Sequence, residues 1–294
     1  MYYIVYGILY IFSLLPFFVL YALSDFAYFI IYHIFGYRKK VVYENLSRAF
    51  PEKSQDEIIN ISKKFYSGFI DTFFETIKSL SMSDKEIDKR CVGNFEPINE
   101  LAKKGRNIQI LGAHMFNWEY ANFYLSKRMP IPFMSMYSKI ENKIFDNLFL
   151  KLRSKYNTIL IPTSSYNRRA IEIMKNQYCS YLLADQTPGL PQNAYWLNFF
   201  NTPTPFLNGP QKAAVKGNPA VVFLNFRKIK RGHYSFECET IIENASSLTP
   251  QDLTKMYRDF VESIIKMQPE NYLWSHRRWK YLYNETHHHL WIDN

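Results

Sequence analysis

Residues 1–36, "MYYIVYGILYIFSLLPFFVLYALSDFAYFIIYHIFG", constrain this 294-residue chain more than any other stretch. Asp25 is their one acidic side chain, and up to Ser24 the run is uncharged and long enough to cross roughly 30 Å of hydrocarbon. It lacks a basic start and a small-residue cleavage site, which argues against a removed signal peptide. Pro16 and Asp25 interrupt a straight span, so two pictures stay open: one kinked membrane helix, or a pair of helices lying in the interface. The "YRKK" that follows is expected to hold Arg38, Lys39, Lys40 and everything downstream in the cytoplasm by the positive-inside rule. A buried core helix of a soluble protein fits less well, because the run is longer than such helices usually are. The expected organisation is a membrane-anchoring segment over residues 1–36 and one globular domain over residues 37–294.

Downstream, the pattern alternates. Ser54 with Glu57 three residues on forms a capping box ahead of the helical spacing in "SQDEIINISKKFYSGFIDTFFETIKSL". Short apolar runs at 107–113, 131–137, 157–162, 179–184, 220–226 and 234–242 read as strands, and 142–156 and 166–176 read as helices between them. This alternation predicts an α/β fold, a mixed sheet flanked by helices, with the mixing at its end where only "RKIKRGH" joins two strands.

The stretch "GAHMFNWEYANF" places His114 and Glu119 where one of these strands should end. In a regular helix, residues five apart point about 140° away from each other, so a turn must lie between them. Asn117 reads as an N-cap, with the helix running through "WEYANFYLSKR". His114 then stands at the carboxyl end of a buried strand, the edge where open α/β sheets bind ligands. An imidazole there can take a proton from a hydroxyl, and a nearby carboxylate can hold its tautomer and stabilise the imidazolium. No Ser or Cys nucleophile accompanies them in the motif.

Three further stretches matter. "YLLADQTPG" puts Asp185 and Gln186 at a second strand end. "NFFNTPTPFLNGPQKAAVKG" reads as a Pro-rich loop entering a helix near Gly209. "QPENYLWSHRRWK" gathers Trp274, Arg277, Arg278 and Lys280 into a basic, aromatic patch suited to an interfacial anion. The net charge of +10 points to an anionic partner, and without an RNA-binding aromatic signature or a long basic run nucleic acid ranks last. Cys91, Cys179 and Cys238 are far apart and odd in number, as expected for reduced cytosolic thiols.

The apolar stem, "VVYENLSRAFPEKS", "GAHMFNWE", "DQTPG", "FFNTPTPFLNGPQKAA" and "QPENYLWSHRRWK", in this order, resemble the bacterial late lipid A acyltransferases of the lysophospholipid acyltransferase group. The resemblance covers nearly the whole chain. It implies a glycerolipid-acyltransferase-like fold and transfer of a fatty acyl chain from an acyl carrier thioester to a hydroxyl of a lipid A precursor. By the same resemblance His114 is the general base, Glu119 orients and polarises it, no covalent acyl-enzyme forms, and Arg153 supplies an oxyanion donor. Asn117, Arg153, Asp185, Gln186 and Arg278 are the candidate substrate-binding residues. No metal or cofactor is expected; "HHH" at 287–289 reads as a polar tail, since three adjacent histidines cannot all face one ion. The expected partners are an acidic acyl carrier protein, with acyl coenzyme A as the second candidate donor, a membrane glycolipid acceptor and the phospholipid bilayer. The expected location is the inner membrane, with the catalytic domain facing the cytoplasm.

Two departures from the family pattern stand out. Ser138 and Lys139 replace the Arg-Pro that often follows an aromatic there, which bears on how acceptor phosphates are gripped. "FFN" replaces Phe-Gly, with Asn the residue that best tolerates a left-handed backbone. An aminolipid or another glycolipid is therefore the alternative acceptor, and a non-catalytic lipid-binding relative the alternative class. A metal hydrolase using His114 and Glu119 as ligands lacks a third convergent ligand and the H-E-x-x-H pattern. Trp118, Tyr120, Phe123 and Tyr124 are candidates for one wall of an apolar cleft that measures the acyl chain.

Overall fold

The computed structural model describes residues 1–163 and 168–293. Two apolar helices open the chain, α1 (Tyr2–Leu14) and α2 (Phe17–Phe29), the second continuing as π-helical turns through Ile30–Phe35. Pro16 separates them: its ψ of 152° is extended and it brings no amide donor, so the first helix stops and a second begins. The helix Phe17–Phe35 is long and apolar enough to cross a membrane. Ile4, Ile8, Ile11, Phe18, Phe26 and Phe29 are exposed, while other side chains of α1 and α2 pack on α4 (Gln55–Lys78), which follows α3 (Lys39–Ala49). α4 begins at the expected capping box: Ser54 Oγ accepts from the Glu57 amide, and the Glu57 carboxylate accepts from the Ser54 amide.

From there α5 (Asp84–Arg90), β1 (Cys91–Gly93), α6 (Glu96–Lys103), β2 (Ile108–Gly112), α7 (Trp118–Arg128) and β3 (Phe133–Tyr137) alternate. Next come α8 (Lys143–Arg153), β4 (Ile159–Pro162), α9 (Arg168–Ile173) and β5 (Cys179–Leu183). The first residues of the expected helix 166–176 lie outside the described residues. A hairpin of β6 (Ala194–Phe199) and β7 (Thr202–Leu207) precedes α10 (Gly209–Gly217), β8 (Ala220–Lys230), β9 (His233–Ile242) and α11 (Pro250–Met267).

The seven-stranded sheet has the order β1-β9-β8-β2-β5-β3-β4. β8, β2, β5, β3 and β4 run parallel, and β9 pairs antiparallel with β8, which is the mixed edge expected from the short "RKIKRGH" connection. Alternate residues of the central strands feed two cores. Ile108 and Ile110 of β2 with Ala220 and Val222 of β8 face α6 and α7; Leu111 with Val221 and Phe223 face α4 and α11. Helices thus cover both faces, as a parallel sheet requires.

The Pro-rich stretch is a strand instead of a loop. Phe200 and Asn201 turn the hairpin with φ of 49° and 54°, so Asn201 takes the left-handed conformation expected of it. Pro203 and Pro205 lie opposite Asn198 and Trp196, positions at which a hairpin with this two-residue turn needs no amide donor.

Candidate functional site

β2 and β5 are parallel neighbours, and their register aligns Gly112 with Leu183. Carried two residues further, that register sets His114 beside Asp185, 71 residues away in sequence. The Asp185 carboxylate accepts from the His114 backbone amide at 3.2 Å and meets the imidazole Nδ1 at 2.8 Å. Burial alone raises this carboxyl, but the imidazole charge, the Nδ1 contact and the His114 amide outweigh it and hold it below the ordinary value. An ionised Asp185 can only accept, so in the neutral ring Nδ1 carries the proton and Nε2 presents its lone pair. Nε2 has no hydrogen-bond partner among the described residues.

The corner is braced from three sides. Tyr257 of α11 donates to the Gly112 carbonyl at 2.6 Å and accepts from the Ala184 amide at 3.0 Å, tying the two strand ends together. The Phe116 amide donates to the Asn271 carbonyl, and Met115 bridges to Tyr272, so the segment at 269–272 backs the turn. Asn117 caps α7 as expected, its Oδ1 accepting from the amides of Glu119 and Tyr120. Its Nδ2 donates to the Glu75 carboxylate of α4 at 3.0 Å.

Glu119 does not reach the imidazole, which corrects the expectation that it orients His114. Arg153, in the last turn of α8, grips it with two nitrogens at 2.9 and 2.5 Å, and the Trp118 indole donates to it at 3.2 Å. Helix geometry explains this: the first turn of α7 carries Glu119 around to face α8, while the register of β2 and β5 brings a different carboxylate to His114. Glu119 touches the site through Trp118, whose ring stands edge-on to His114 with centroids 5.7 Å apart. Two of the nitrogens of Arg153 expected to serve an oxyanion are engaged by Glu119; Nη1 is free of that pair.

The remaining expected residues divide. Gln186 is half-buried beside Asp185 and makes no side-chain hydrogen bond among the described residues, so its amide is available at the edge. Asn117 is buried, with both ends of its amide used by the protein. Arg278 is 1% exposed, donates Nη1 to the Pro205 carbonyl at 2.9 Å and lies over the Phe206 ring at 4.3 Å. The expected surface patch is therefore split: Trp274 and Arg278 are core, and Arg277 and Lys280 are exposed. Tyr120, Phe123 and Tyr124 belong to the core with Phe95 and Phe236, which leaves Trp118 as the one ring of the expected wall that faces His114.

Sequence reasoning passed over His276 and Tyr272. His276 Nε2 accepts from the Thr187 amide at 3.0 Å, and Thr187 Oγ1 donates to the Arg277 and Arg278 carbonyls, clipping the "DQT" loop onto the C-terminal segment. Burial first, then the charge of Arg278, lowers the imidazole of His276 to about 4. Tyr272 neighbours both Asp185 and Arg278. The signal was present in "YLWSHRRWK", where the aromatic and basic letters suggested a surface, although an Arg can be buried when rings and carbonyls receive it. His287 lies tilted against the Trp196 ring with centroids 4.5 Å apart, and no three His, Cys, Asp or Glu side chains group to hold a metal among the described residues.

The lipid A biosynthesis acyltransferase of Haemophilus influenzae is 24% identical over 234 residues, 78% of this chain and 72% of that protein. The lipid A biosynthesis lauroyltransferase of Escherichia coli is 25% identical over 256 residues, 83% of this chain and 79% of that protein. A family profile described as bacterial lipid A biosynthesis acyltransferase matches residues 1–281. The chain belongs to that family of enzymes, the bacterial lipid A biosynthesis acyltransferases.

Proposed function

We propose that this enzyme transfers a fatty acyl chain from a carrier thioester to a hydroxyl of a lipid A precursor, with His114 as general base and Asp185 as its partner. The acceptor hydroxyl gives its proton to His114 Nε2 as its oxygen attacks the thioester carbonyl. Asp185 stabilises the imidazolium that forms. Collapse of the tetrahedral intermediate breaks the carbon–sulfur bond, and the leaving thiolate takes the proton back. We assign Arg153 Nη1 and Gln186 as donors to the oxyanion or the acceptor. The observation that carries this reading is the 2.8 Å contact of Nδ1 with a fully buried carboxylate, which leaves Nε2 as the base at the ligand edge of the sheet.

The donor is an acyl carrier protein, an acidic partner that a chain of +10 net charge attracts over distance. The protein works at the cytoplasmic face of the inner membrane. The polar contacts made by the middle of α2, Ser24 to Asp71 and Asp25 to Arg231, support α1 and α2 lying along the flank of the domain in the interface, outward rings in lipid.

The test uses purified full-length protein in detergent with an acyl carrier thioester and a lipid A precursor, the product read by mass spectrometry. Wild type is expected to add one acyl chain, and His114→Ala to lose about 10²- to 10⁴-fold in rate. A folded His114→Ala protein with near-normal turnover overturns the mechanism. Transfer to an aminolipid but not to lipid A precursors moves the acceptor.

A further inference from the structure

The following rests on His114 acting as the base. We infer that the apolar N-terminal segment is part of the catalytic apparatus as well as an anchor: Tyr21 of α2 seats the buried Glu75 of α4, and Glu75 positions Asn117 and, through it, the His114 corner.

Glu75 is 1% exposed, and burial raises its carboxyl above the ordinary value although Lys228 and the hydrogen bonds of Tyr234 and Asn117 pull the other way, so its place depends on the groups around it. Three hydrogen-bond to it, from three elements. Tyr21 Oη donates to Oε1 at 3.0 Å; Tyr234 Oη of β9 and Asn117 Nδ2 donate to Oε2 at 2.6 and 3.0 Å. Asn117 is the residue that suits both of its tasks. Its carbonyl oxygen caps α7 while its amide donates to the Glu75 carboxyl, whereas Asp would cap equally well but has no N–H to offer Glu75.

Tyr21 is socketed. Arg231 lies over its ring at 4.3 Å, and Gly232, at φ 71°, is so close that a Cβ there would stand 2.0 Å from the Tyr21 hydroxyl. One helical turn away along α4, Asp71 accepts from Ser24 Oγ at 2.7 Å and from Arg231 at 2.9 and 2.6 Å, and Arg231 continues to Asp25. Tyr21, Ser24 and Asp25 follow the i, i+3, i+4 spacing of one helix face. An anchor needs no polar stripe; a helix that holds buried carboxylates does. Loss of the Tyr21 hydroxyl leaves Glu75 one donor short and frees it to shift, and Asn117 and the turn carrying His114 shift with it.

The experiment uses the full chain in detergent micelles with an acyl carrier thioester and a lipid A precursor. Tyr21→Phe, which deletes one hydroxyl, is expected to lower kcat roughly tenfold, as a small misplacement of reacting groups does, while KM for both substrates stays within about twofold. Asn117→Asp keeps the cap, removes the N–H that holds Glu75 and is expected to lower kcat further. Phe26→Ala, on the outward face, is expected to leave kcat unchanged and weaken partitioning into anionic phospholipid vesicles. Wild-type kcat in Tyr21→Phe, or a change confined to KM or to partitioning, overturns the inference and leaves the segment as an anchor. If Tyr21→Phe melts early, Tyr234→Phe removes a hydroxyl from the other oxygen of the same carboxylate and is held to the same criterion. His114→Ala, assayed alongside, separates the two readings: its retention of turnover sinks the base assignment whatever Tyr21→Phe does.

Discussion

Two carboxylates flank the same corner and do different work. Asp185 is 0% and Glu119 3% exposed, so solvation does not distinguish them. Glu119 is five residues from His114 and pairs with Arg153; Asp185 is 71 residues away and pairs with the imidazole. Closeness in sequence is closeness in space only when the local geometry points the same way, and a turn followed by a helix carries Glu119 off. Parallel strands do the opposite, since each register position brings together residues that a whole β-α-β crossover separates.

The largest effect should come from the Asp185 side. Asp185→Asn keeps the shape but lets the imidazole adopt the wrong tautomer, and kcat is expected to fall by about 10³-fold or more with folding intact. Glu119→Gln, which keeps part of the contact to Arg153 and Trp118, is expected to lose far less. Steady-state rates of the two purified variants check this. The comparison breaks if Glu119→Gln is the more damaging to kcat while both melt like wild type.

Much of this arrangement can be read from the letters alone. The central strands, the span of α7 and its Asn117 cap, the Ser54 box and the placement of His114 and Asp185 at strand ends all follow from period, Gly and cap chemistry. The pairing of β2 with β5 does not follow, because local pattern carries no strand order. The β6–β7 hairpin was hidden by Pro203 and Pro205, which signal a loop unless both fall where the ladder asks for no donor. The burial of Arg278 was hidden because its partners, the Phe206 ring and the Pro205 carbonyl, are 73 residues or so upstream.

The Glu119 side should register as stability. Arg153→Ala strands a carboxylate that is almost wholly buried and is expected to cost about 3 kcal/mol in denaturant unfolding. Glu119→Ala leaves a guanidinium that retains some solvent, so its cost should be lower, about 2 kcal/mol. The double variant is expected to recover part of the sum, because neither charge is then left alone. Full additivity would mean that the pair is not coupled, and would weaken the contrast with Asp185.

Acid should reach the two sides unequally. His276 supports the loop that carries Asp185, and its folded value of about 4 lies below its ordinary 6.5. Between these values the unfolded chain binds more protons, so stability rises with pH. The contribution is complete above 6.5 and is lost as pH falls toward about 4, on the order of 3 kcal/mol in all. Asp185, held below the ordinary carboxylate value, adds a loss at lower pH still. Melting curves across this range are expected to flatten in His276→Gln; an unchanged slope would remove His276 as the acid-sensitive support.

The smallest effect concerns the path from Glu119 to the His114 imidazole that runs through Trp118. Trp118 donates its indole N–H to Glu119 at 3.2 Å and sets its ring against His114, so the indole is hinged on the carboxylate and its edge limits how the imidazole can tilt. Trp118→Phe keeps an aromatic ring and deletes the hinge. The lost bond is long and half-buried, which places its contribution at about 1 kcal/mol or less. If Glu119 acts on His114 only by this route, Trp118→Phe and Glu119→Gln should lower kcat by the same modest factor, roughly threefold, and combining them should add little, as expected for two groups that work as a unit. Rates for the two single variants and the double decide it. Independent, multiplying losses would mean that Glu119 reaches the site by a second route, for which Arg153 Nη1 is the candidate, and the division between the carboxylate proposed as the partner of the base and the structural one would then narrow to one of degree.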